Sequence, residues 1–530
     1  MFDLLIKNGV IVDGSGTPGY RADIGIQGEV ISKIAPMIEE SAKETIDAEG
    51  YIVSPGFIDI HSHSDLTPFF SEYPMDSKVC QGITLEIIGN CGISNLPVRP
   101  ECRTQIKEFM GAGLELPLGN LVLQDDNVVD YQHHVENCPH ATDLGVLIGH
   151  GTLRANIVGF DMRPPSQEEL KLMGELLEKE LAQGAFGMSL GLIYPPSSYG
   201  KLEEFVYLAK ILKKHKAILS VHMRSESTKI FEAVEEMLEV TRQSGVHLEI
   251  SHLKLIGKPQ WGKAEQLLKM IRDGQDEGLD ITCDQYPYTA TSTNLAALVP
   301  GWAQSGGYEE MCARLADPEP RLLQDMENEM ERRGGAEKIL VVSTKGVFPV
   351  YDGKTLKEIS QEMKLDPIHS AAKLLKSTGG GVPCCYFCLD EADMLKIMQQ
   401  PFVAVGSDGY SMPYDNSLIE GNPHPRNFGT FPRYLQTVRE NKLLPLHLAV
   451  YKITGLPAHV LGLRKLGQIK ENYMASLVIF DGDKIVDEST YLDSKKQPRG
   501  IQEVIIRGTI VVHKGVRNGT KVGKVLLHEE

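Results

Sequence analysis

The apolar and polar positions alternate over short distances at both ends of the chain. Near the amino terminus, LLIKNGVIVDG and ADIGIQGEVISKI are interrupted by Asn-Gly and Gln-Gly, and the carboxyl end carries SLVIF at 476–480 and EVIIRGTIVVHKG at 503–515. This pattern is typical of antiparallel strands joined by tight turns. We therefore predict that residues 1–54 and 465–530 pack together as one small β-sandwich.

Between these ends, apolar strand-like runs alternate with amphipathic helical stretches such as EELKLMGELLEKELAQG. That order is typical of a parallel α/β sheet. Eight such runs predict an α/β fold with a (β/α)₈ TIM-like barrel over residues 55–464. The predicted strands are Phe57–Ile60, Ile83–Ile88, Leu144–Ile148, Phe186–Leu190, Ile218–Val221, Leu248–Ile250, Leu279–Cys283 and Phe402–Val405.

The segment 287–344 interrupts the alternation of strands and helices. A charged helical run, LLQDMENEMERRGGAEK, is followed there by the strand-like KILVVST. We predict that this segment is an insertion after the seventh barrel strand and that it covers the mouth of the barrel.

Composition and charge narrow the range of partners. Hydrophobic residues make up 42% and charged residues 24% of the chain, as in an ordinary globular protein. The net charge of −17 argues against nucleic acid or an anionic membrane as the main partner. The chain shows neither an apolar run of about 18 residues nor a secretory signal, so we expect a cytoplasmic protein. The nine cysteines, including those of CCYFC at 384–388, are expected to be reduced thiols.

Metal-capable side chains follow five of the predicted barrel strands. The first strand leads to two of them and the second, fifth, sixth and eighth to one each: His61, His63, Cys91, His222, His252 and Asp408. Because a barrel gathers its catalytic residues at the carboxyl ends of its strands, these side chains are expected to meet. The sequence therefore predicts a metal site at the mouth of the barrel.

The residue types at this site favour zinc-assisted hydrolysis. A thiolate and several imidazoles suit zinc better than magnesium or calcium, which prefer oxygen ligands. Zinc lowers the pKa of a bound water towards neutrality and so supplies a nucleophile. Asp408 is the expected general acid/base, which accepts a proton from the water and passes it to a leaving nitrogen. The residues alone thus predict hydrolysis of an amide-like C–N bond.

Several motifs extend this prediction to a family. The β-sandwich, the strand PGFIDIHSH, the later histidines and Asp408 resemble the amidohydrolase superfamily. Within it, the chain resembles the D-aminoacylases, or N-acyl-D-amino-acid deacylases, in NCG at 90–92, GLIYPP at 191–196, VHMR at 221–224, SHLK at 251–254, YPYTATST at 286–293, SDG at 407–409 and PHPRNFGTFPR at 423–433. This resemblance implies cleavage of N-acyl-D-amino acids to a carboxylate and a free D-amino acid.

The resemblance also implies two metal positions. A tight zinc site is expected to have three ligands, Cys91, His222 and His252. A second, weaker position is expected to have four, His61, His63, Cys91 and Asp408. Hydantoinases and dihydroorotases instead bridge two metals with a carboxylated lysine, a place that Cys91 takes in this sequence. A cyclic amidohydrolase and a non-catalytic barrel scaffold are the alternatives.

Substrate contacts follow from the same resemblance. Arg426 is expected to bind the substrate α-carboxylate, since a planar guanidinium matches a carboxylate with two hydrogen bonds. Three further side chains are expected to complete that pocket: Lys254, Tyr194 and Ser292. The sequence leaves open the roles of His150 and Asp284 and the oligomeric state. Several methionines and phenylalanines near the presumed mouth favour broad hydrophobic specificity over strict use of acidic substrate side chains, which stays open as the alternative.

Overall fold

The β-sandwich contains strands from both ends of the chain, as predicted. The computed structural model describes residues 1–70, 73–111, 121–415 and 419–529. One sheet has the strand order Val30–Ala35, Asp23–Gln27, Phe2–Lys7 and Ala42–Asp47. The other has the order Val516–Arg517, Thr509–His513, Ile501–Ile506, Leu477–Phe480, Ile52–Pro55, Val10–Ile11 and Tyr20–Arg21. Apolar side chains from both termini fill the space between the sheets, among them Leu4, Ile24, Val53, Leu477 and Ile505.

Eight parallel strands form the barrel, which confirms the predicted fold class. In chain order they are Phe57–Asp59, Ile83–Ile88, Asp143–Gly149, Gly187–Gly191, Ile218–His222, His247–Ile250, Ile281–Gln285 and Val403–Val405. Each pairs with its neighbour in sequence order. The first and eighth strands meet just beyond their ends, where the Asp408 N–H donates to His61 O and the His63 N–H donates to Gly409 O, both at 2.8 Å. The loops that carry three predicted ligands therefore close the barrel.

Helices surround the barrel and extend into the inserted segment. Gln167–Ala182 begins at a capping box formed by Ser166 and Glu169, and Ile230–Ser244 ends at Gly245 with a φ of +69°. In the described part of the chain, no helix is long and apolar enough to cross a membrane. The remaining α-helices are Arg103–Gly111, Val128–Asn137, His150–Ile157, Leu202–Lys214, Ala264–Asp276, Tyr308–Ala316, Pro320–Arg332, Leu356–Met363, Pro367–Ser377, Glu391–Met398, Arg426–Asn441, Leu446–Lys452 and Gly455–Val460.

The segment between the seventh and eighth barrel strands has its own sheet and its own core. Its three strands are Thr291–Asn294, Ile339–Val341 and Pro383–Tyr386. The last of these lies in the middle and pairs with both others, so the sheet is incomplete without it. The helices and strands of the segment thus continue to Tyr386, beyond the predicted end at residue 344. The buried thiols of Cys384 and Cys385 lie on this central strand.

Candidate active site

The six metal-capable side chains predicted from the sequence converge at the carboxyl ends of the barrel strands. They form two overlapping groups, in each of which the ligand atoms lie within 4.8 Å of one another. One group is His61, His63, Cys91 and Asp408, and the other is Cys91, His222 and His252. Cys91 belongs to both groups, so its thiolate is placed to bridge two metal positions. We call these six side chains the ligand cluster.

The backbone turns sharply at three of the ligands. Cys91, His252 and Asp408 have φ values of +55°, +35° and +52°, in the left-handed region that non-glycine residues rarely adopt. Such strain persists where the surrounding structure enforces it, and it is common at active sites. At Gly191, a Cβ atom would lie 1.8 Å from the Cys91 carbonyl oxygen. Only glycine therefore lets the fourth strand approach the Cys91 loop this closely.

The spacing of the ligand atoms fits a tetrahedral cation. Cys91 Sγ lies 3.3 Å from His61 Nε2 and 3.4 Å from His252 Nε2. Ligands at about 2.0–2.3 Å from a tetrahedral zinc lie roughly 3.3–3.8 Å from one another. His252 Nε2 and His222 Nδ1 are closer together, at 2.9 Å, and Asp408 Oδ1 lies 3.1 Å from His63 Nε2. The donor set, one thiolate with imidazoles and a carboxylate, is one that zinc accepts.

Burial and neighbouring charges favour the metal-binding forms of Cys91, His222 and Asp408, whereas anionic neighbours outweigh burial and raise the pKa values of three imidazoles, those of His61, His63 and His252. Burial opposes a thiolate at Cys91, but the three neighbouring imidazoles outweigh burial and hold the pKa of Cys91 well below its usual value. Burial lowers the pKa of His222, which favours the neutral imidazole needed for coordination. Burial also opposes ionisation of Asp408, yet the Arg426 guanidinium beside it holds the pKa of that carboxyl well below its usual range. Asp408 is therefore a carboxylate at neutral pH.

Two carboxylates orient the ligand imidazoles. Asp284 Oδ2 lies 3.1 Å from His61 Nδ1, and Asp284 Oδ1 accepts the His252 backbone N–H at 2.9 Å. Glu226 Oε1 lies 3.0 Å from His252 Nδ1. Carboxylate partners of this kind fix the ring orientation of metal-binding histidines. Asp284 ends the seventh strand, which made it a candidate in the sequence, whereas Glu226 lies in a loop and gave no such signal.

A second set of buried charges lies beside the ligand cluster. Lys78 Nζ donates to Asp59 Oδ2 at 2.6 Å, to Gly409 O at 3.1 Å and to the Ser407 hydroxyl. Glu86, whose Oε2 lies 3.8 Å from Lys78 Nζ, accepts hydrogen bonds from three hydroxyls, those of Ser62, Ser64 and Thr142. We call Asp59, Lys78, Glu86 and Ser407 the Lys78 cluster. It joins the end of the first strand to the loop that carries Asp408.

The four predicted substrate contacts line one cavity of about 850 Å³ together with Cys91, His222 and Asp408. Arg426 Nη1 donates to Asp408 Oδ2 at 2.6 Å, and its guanidinium lies over the Tyr286 ring at 5.3 Å. Lys254 Nζ donates to Glu226 Oε1 at 2.5 Å. Tyr194 follows the fourth strand and Ser292 lies in the inserted sheet, where the Tyr194 hydroxyl lies 3.1 Å from Oγ1 of the neighbouring Thr293. The cavity is large enough for a small organic ligand.

His150 lies apart from the ligand cluster. Its Nδ1 is 2.7 Å from Ser197 Oγ and its Nε2 is 2.8 Å from Glu204 Oε1. Arg154 Nη1 donates to the same carboxylate at 2.8 Å. His150 thus ties the end of the third strand to the helix Leu202–Lys214, which is a structural role.

Known proteins share this fold and are similar to this chain over nearly its full length. A profile of the amidohydrolase family matches residues 44–323 and 411–512. The chain is 32% identical to a D-aminoacylase of Alcaligenes xylosoxydans xylosoxydans, over 99% of this chain and 97% of that protein. It is 33% identical to an N-acyl-D-glutamate deacylase of the same organism, over 96% and 93%.

A solved structure is also similar to this chain over its full length. The N-acyl-D-glutamate deacylase of Bordetella bronchiseptica, complexed with zinc and a phosphonate mimic of the tetrahedral intermediate, superimposes with a TM-score of 0.84, 29% identity and coverage of 100% of both chains. The fold and the ligand cluster together define the class of protein, a metal-dependent hydrolase built on a (β/α)₈ barrel. The chain belongs to the amidohydrolase family and, within that family, to the D-aminoacylases, which confirms the resemblance carried by the motifs.

Proposed function

We propose that this protein is a zinc-dependent deacylase that hydrolyses the linear amide bond of N-acyl-D-amino acids, releasing a carboxylate and a free D-amino acid. The observation that carries the proposal is the position of Cys91, which lies in both ligand groups beside the Asp408–Arg426 pair. The relatives named D-aminoacylase and N-acyl-D-glutamate deacylase, similar over nearly their full length, support the same substrate class.

We infer that the ligand cluster holds one tight zinc and a second, weaker metal. Cys91, His222 and His252 would hold the tight zinc, and His61, His63 and Asp408 would complete the second position with Cys91. Bound zinc supplies Lewis acidity and activates water for attack on the amide carbonyl. The second position shares its thiolate with the first and relies on half-buried His63, so we assign it the lower affinity.

Asp408 is the general acid/base of the proposed reaction. Its carboxylate accepts a proton from the attacking water and passes that proton to the departing amide nitrogen, so that the amine leaves in neutral form. The low pKa of Asp408 keeps it ready to accept the proton at neutral pH. Arg426 holds Asp408 through Nη1 and lines the cavity, where its guanidinium would bind the substrate α-carboxylate. Lys254, Tyr194 and Ser292 complete the carboxylate pocket.

A substrate panel tests this function. Freshly purified protein is assayed on N-acetyl D- and L-amino acids, hydantoin and dihydroorotate, with and without a chelator, and zinc per chain is measured in parallel. We expect hydrolysis of the N-acetyl D-amino acids alone, loss of that activity in the chelator and recovery with added zinc. Ring opening of hydantoin or dihydroorotate would instead identify a cyclic amidohydrolase. A chain that binds no zinc and cleaves none of the panel would be a scaffold.

A further inference from the structure

Arg333 is a buried cation on the wall of the substrate cavity, far in sequence from the metal ligands. It follows the helix Pro320–Arg332 in the inserted segment, is 4% exposed and lines the same cavity as Cys91 and Arg426. Its guanidinium lies over the Tyr386 ring at 4.9 Å. The insertion core and this aromatic ring therefore hold the side chain in place.

Only one edge of the Arg333 guanidinium is occupied by protein. Nε donates to Glu329 Oε1 at 2.9 Å, whereas the two Nη groups have no hydrogen-bond acceptor in the described part of the chain. Buried polar groups nearly always have partners, and a buried charge without them is costly. A guanidinium edge with two unused donors in a substrate cavity is therefore a candidate ligand contact.

The carboxylate beside Arg333 is shared. Glu329 Oε1 accepts from Arg333 Nε, and Glu329 Oε2 also lies 2.8 Å from Arg332 Nη2. Two cations of this wall thus share the Glu329 carboxylate. The other buried cations of the cavity differ in this respect, since Arg426 pairs with Asp408 and Lys254 pairs with Glu226.

The free edge of Arg333 matches a carboxylate. Two parallel N–H donors of a guanidinium bind the two oxygens of a carboxylate in a planar, bidentate arrangement. Arg426, which is assigned to the α-carboxylate, enters the cavity at the start of the helix Arg426–Asn441 that follows the eighth barrel strand, whereas Arg333 enters from the insertion. The cavity is thus equipped for two carboxylates at separate places.

We propose that Arg333 forms a second carboxylate-binding subsite, which makes the protein prefer N-acyl-D-amino acids that carry a further carboxylate. This inference rests on the proposed deacylase function. The carboxylate can belong to the amino-acid side chain or to the acyl group, and the chemistry of recognition is the same in both cases. The proposal thus favours acidic substrates over the hydrophobic ones that the sequence indicated.

Matched pairs of substrates test the subsite in the wild-type enzyme. N-Acetyl-D-glutamate and N-acetyl-D-glutamine have the same shape but differ in charge, and N-succinyl-D-alanine and its succinamide differ in the same way on the acyl side. We expect kcat/KM to favour the acid of one pair by about 10–100-fold, the effect of one charged, bidentate contact. The pair that shows the preference identifies the source of the carboxylate. Equal rates within both pairs would overturn the proposal.

Variants then assign the preference to Arg333. Arg333→Gln is expected to reduce the acid-to-amide ratio to near one, mainly through a lower kcat/KM for the acid, and Arg333→Lys, which keeps the charge, is expected to restore part of the ratio. Arg321→Gln is the matched control, since Arg321 lies on the same helix but its side chain is 74% exposed, and it should leave the ratio unchanged. A ratio retained in Arg333→Gln would also overturn the proposal. If neutral D-substrates are hydrolysed but acids are not preferred, only the subsite fails, whereas inactivity on the whole D-series is failure of the deacylase function.

Discussion

The ligand cluster and the Lys78 cluster are both buried sets of charged side chains at the mouth of the barrel, but they are built differently. In the Lys78 cluster, the ammonium of Lys78 meets the Asp59 carboxylate, and Glu86 is surrounded by hydroxyl donors. In the ligand cluster, imidazole nitrogens and a thiolate face one another, and His222 Nε2 has no hydrogen-bond partner among the described residues. Protein groups alone satisfy the charges of the Lys78 cluster, whereas the ligand cluster needs a bound cation.

The complete cluster supports the incomplete one. Asp59 Oδ1 accepts the Ser407 N–H at 2.9 Å and the His61 N–H at 3.3 Å. The backbone on both sides of the ligand cluster is thus fixed by a carboxylate whose charge Lys78 balances. This arrangement allows Asp408 to keep its left-handed conformation next to Ser407. Changes in the two clusters should therefore affect different properties, activity in one and stability in the other.

The largest effect is expected from Asp408→Asn. The amide keeps the size of the side chain but cannot accept a proton, so kcat on an N-acetyl-D-amino acid should fall about 10²–10⁴-fold. The tight zinc ligands are unchanged, so zinc per chain, measured on the same samples, should stay at the wild-type level. Asp481→Asn, in a turn of the sandwich, should leave kcat unchanged. Wild-type turnover in Asp408→Asn would exclude Asp408 as the acid/base.

The sequence predicts the parts of the molecule that depend on local pattern. Barrel strands are buried on both faces and are therefore largely apolar along their whole length. These apolar runs predicted the positions of all eight barrel strands. The candidate metal ligands could be found because each lies within four residues of a strand end, as Cys91 and His252 illustrate.

The parts that depend on long-range contacts could not be found in this way. Lys78 precedes the second strand as a single lysine, and its sequence context does not indicate that it is buried against Asp59 and Ser407, the latter 329 residues away. Glu226 lies in a loop, where no strand register indicates its position. The insertion was predicted to end too early because its central strand, Pro383–Tyr386, comes last in the sequence.

The second largest effect is expected from Lys78→Met, and it concerns stability. The substitution leaves Asp59 and Glu86 buried without their cation, which should reduce the free energy of unfolding by about 3–5 kcal/mol. Denaturant unfolding followed by circular dichroism measures this change. Lys171→Met is the control, because Lys171 forms an exposed pair with Glu175 and should contribute less than about 1 kcal/mol. Equal losses in the two variants would show that the Lys78 cluster is not a distinct source of stability.

A smaller effect is expected from Arg426→Ala, which lies at the edge of the ligand cluster. The variant loses the partner of Asp408 on every substrate, so a common decrease in kcat is expected. On substrates with a free α-carboxylate, kcat/KM should fall by a further factor of about 10–100, because a charged, bidentate contact is lost. The measurement is the ratio of kcat/KM for an N-acetyl-D-amino acid and its carboxamide. Arg426→Lys serves as the control for charge, and equal losses on acid and carboxamide would remove Arg426 from carboxylate binding.

The smallest effect is expected at a third buried set of charges, formed by His150, Arg154 and Glu204. As in the Lys78 cluster, the charged side chains of this set pair with one another. Burial raises the pKa of Glu204, but the hydrogen bond from His150 and the charge of Arg154 outweigh burial and lower that pKa to about 2. A carboxyl with a lowered pKa stabilises the fold above its unfolded pKa, and this contribution is lost as the pH falls from about 4.5 towards 2. Between about pH 5 and pH 4, Glu204 should therefore account for a loss of roughly 1 kcal/mol or less. In Glu204→Gln this part of the pH dependence of unfolding should disappear, and an unchanged slope would show that the ion pair does not contribute to stability.

Because His150 and Arg154 have no place in the ligand cluster, the zinc content of Glu204→Gln at neutral pH should equal that of the wild type, which separates this cluster from the catalytic one.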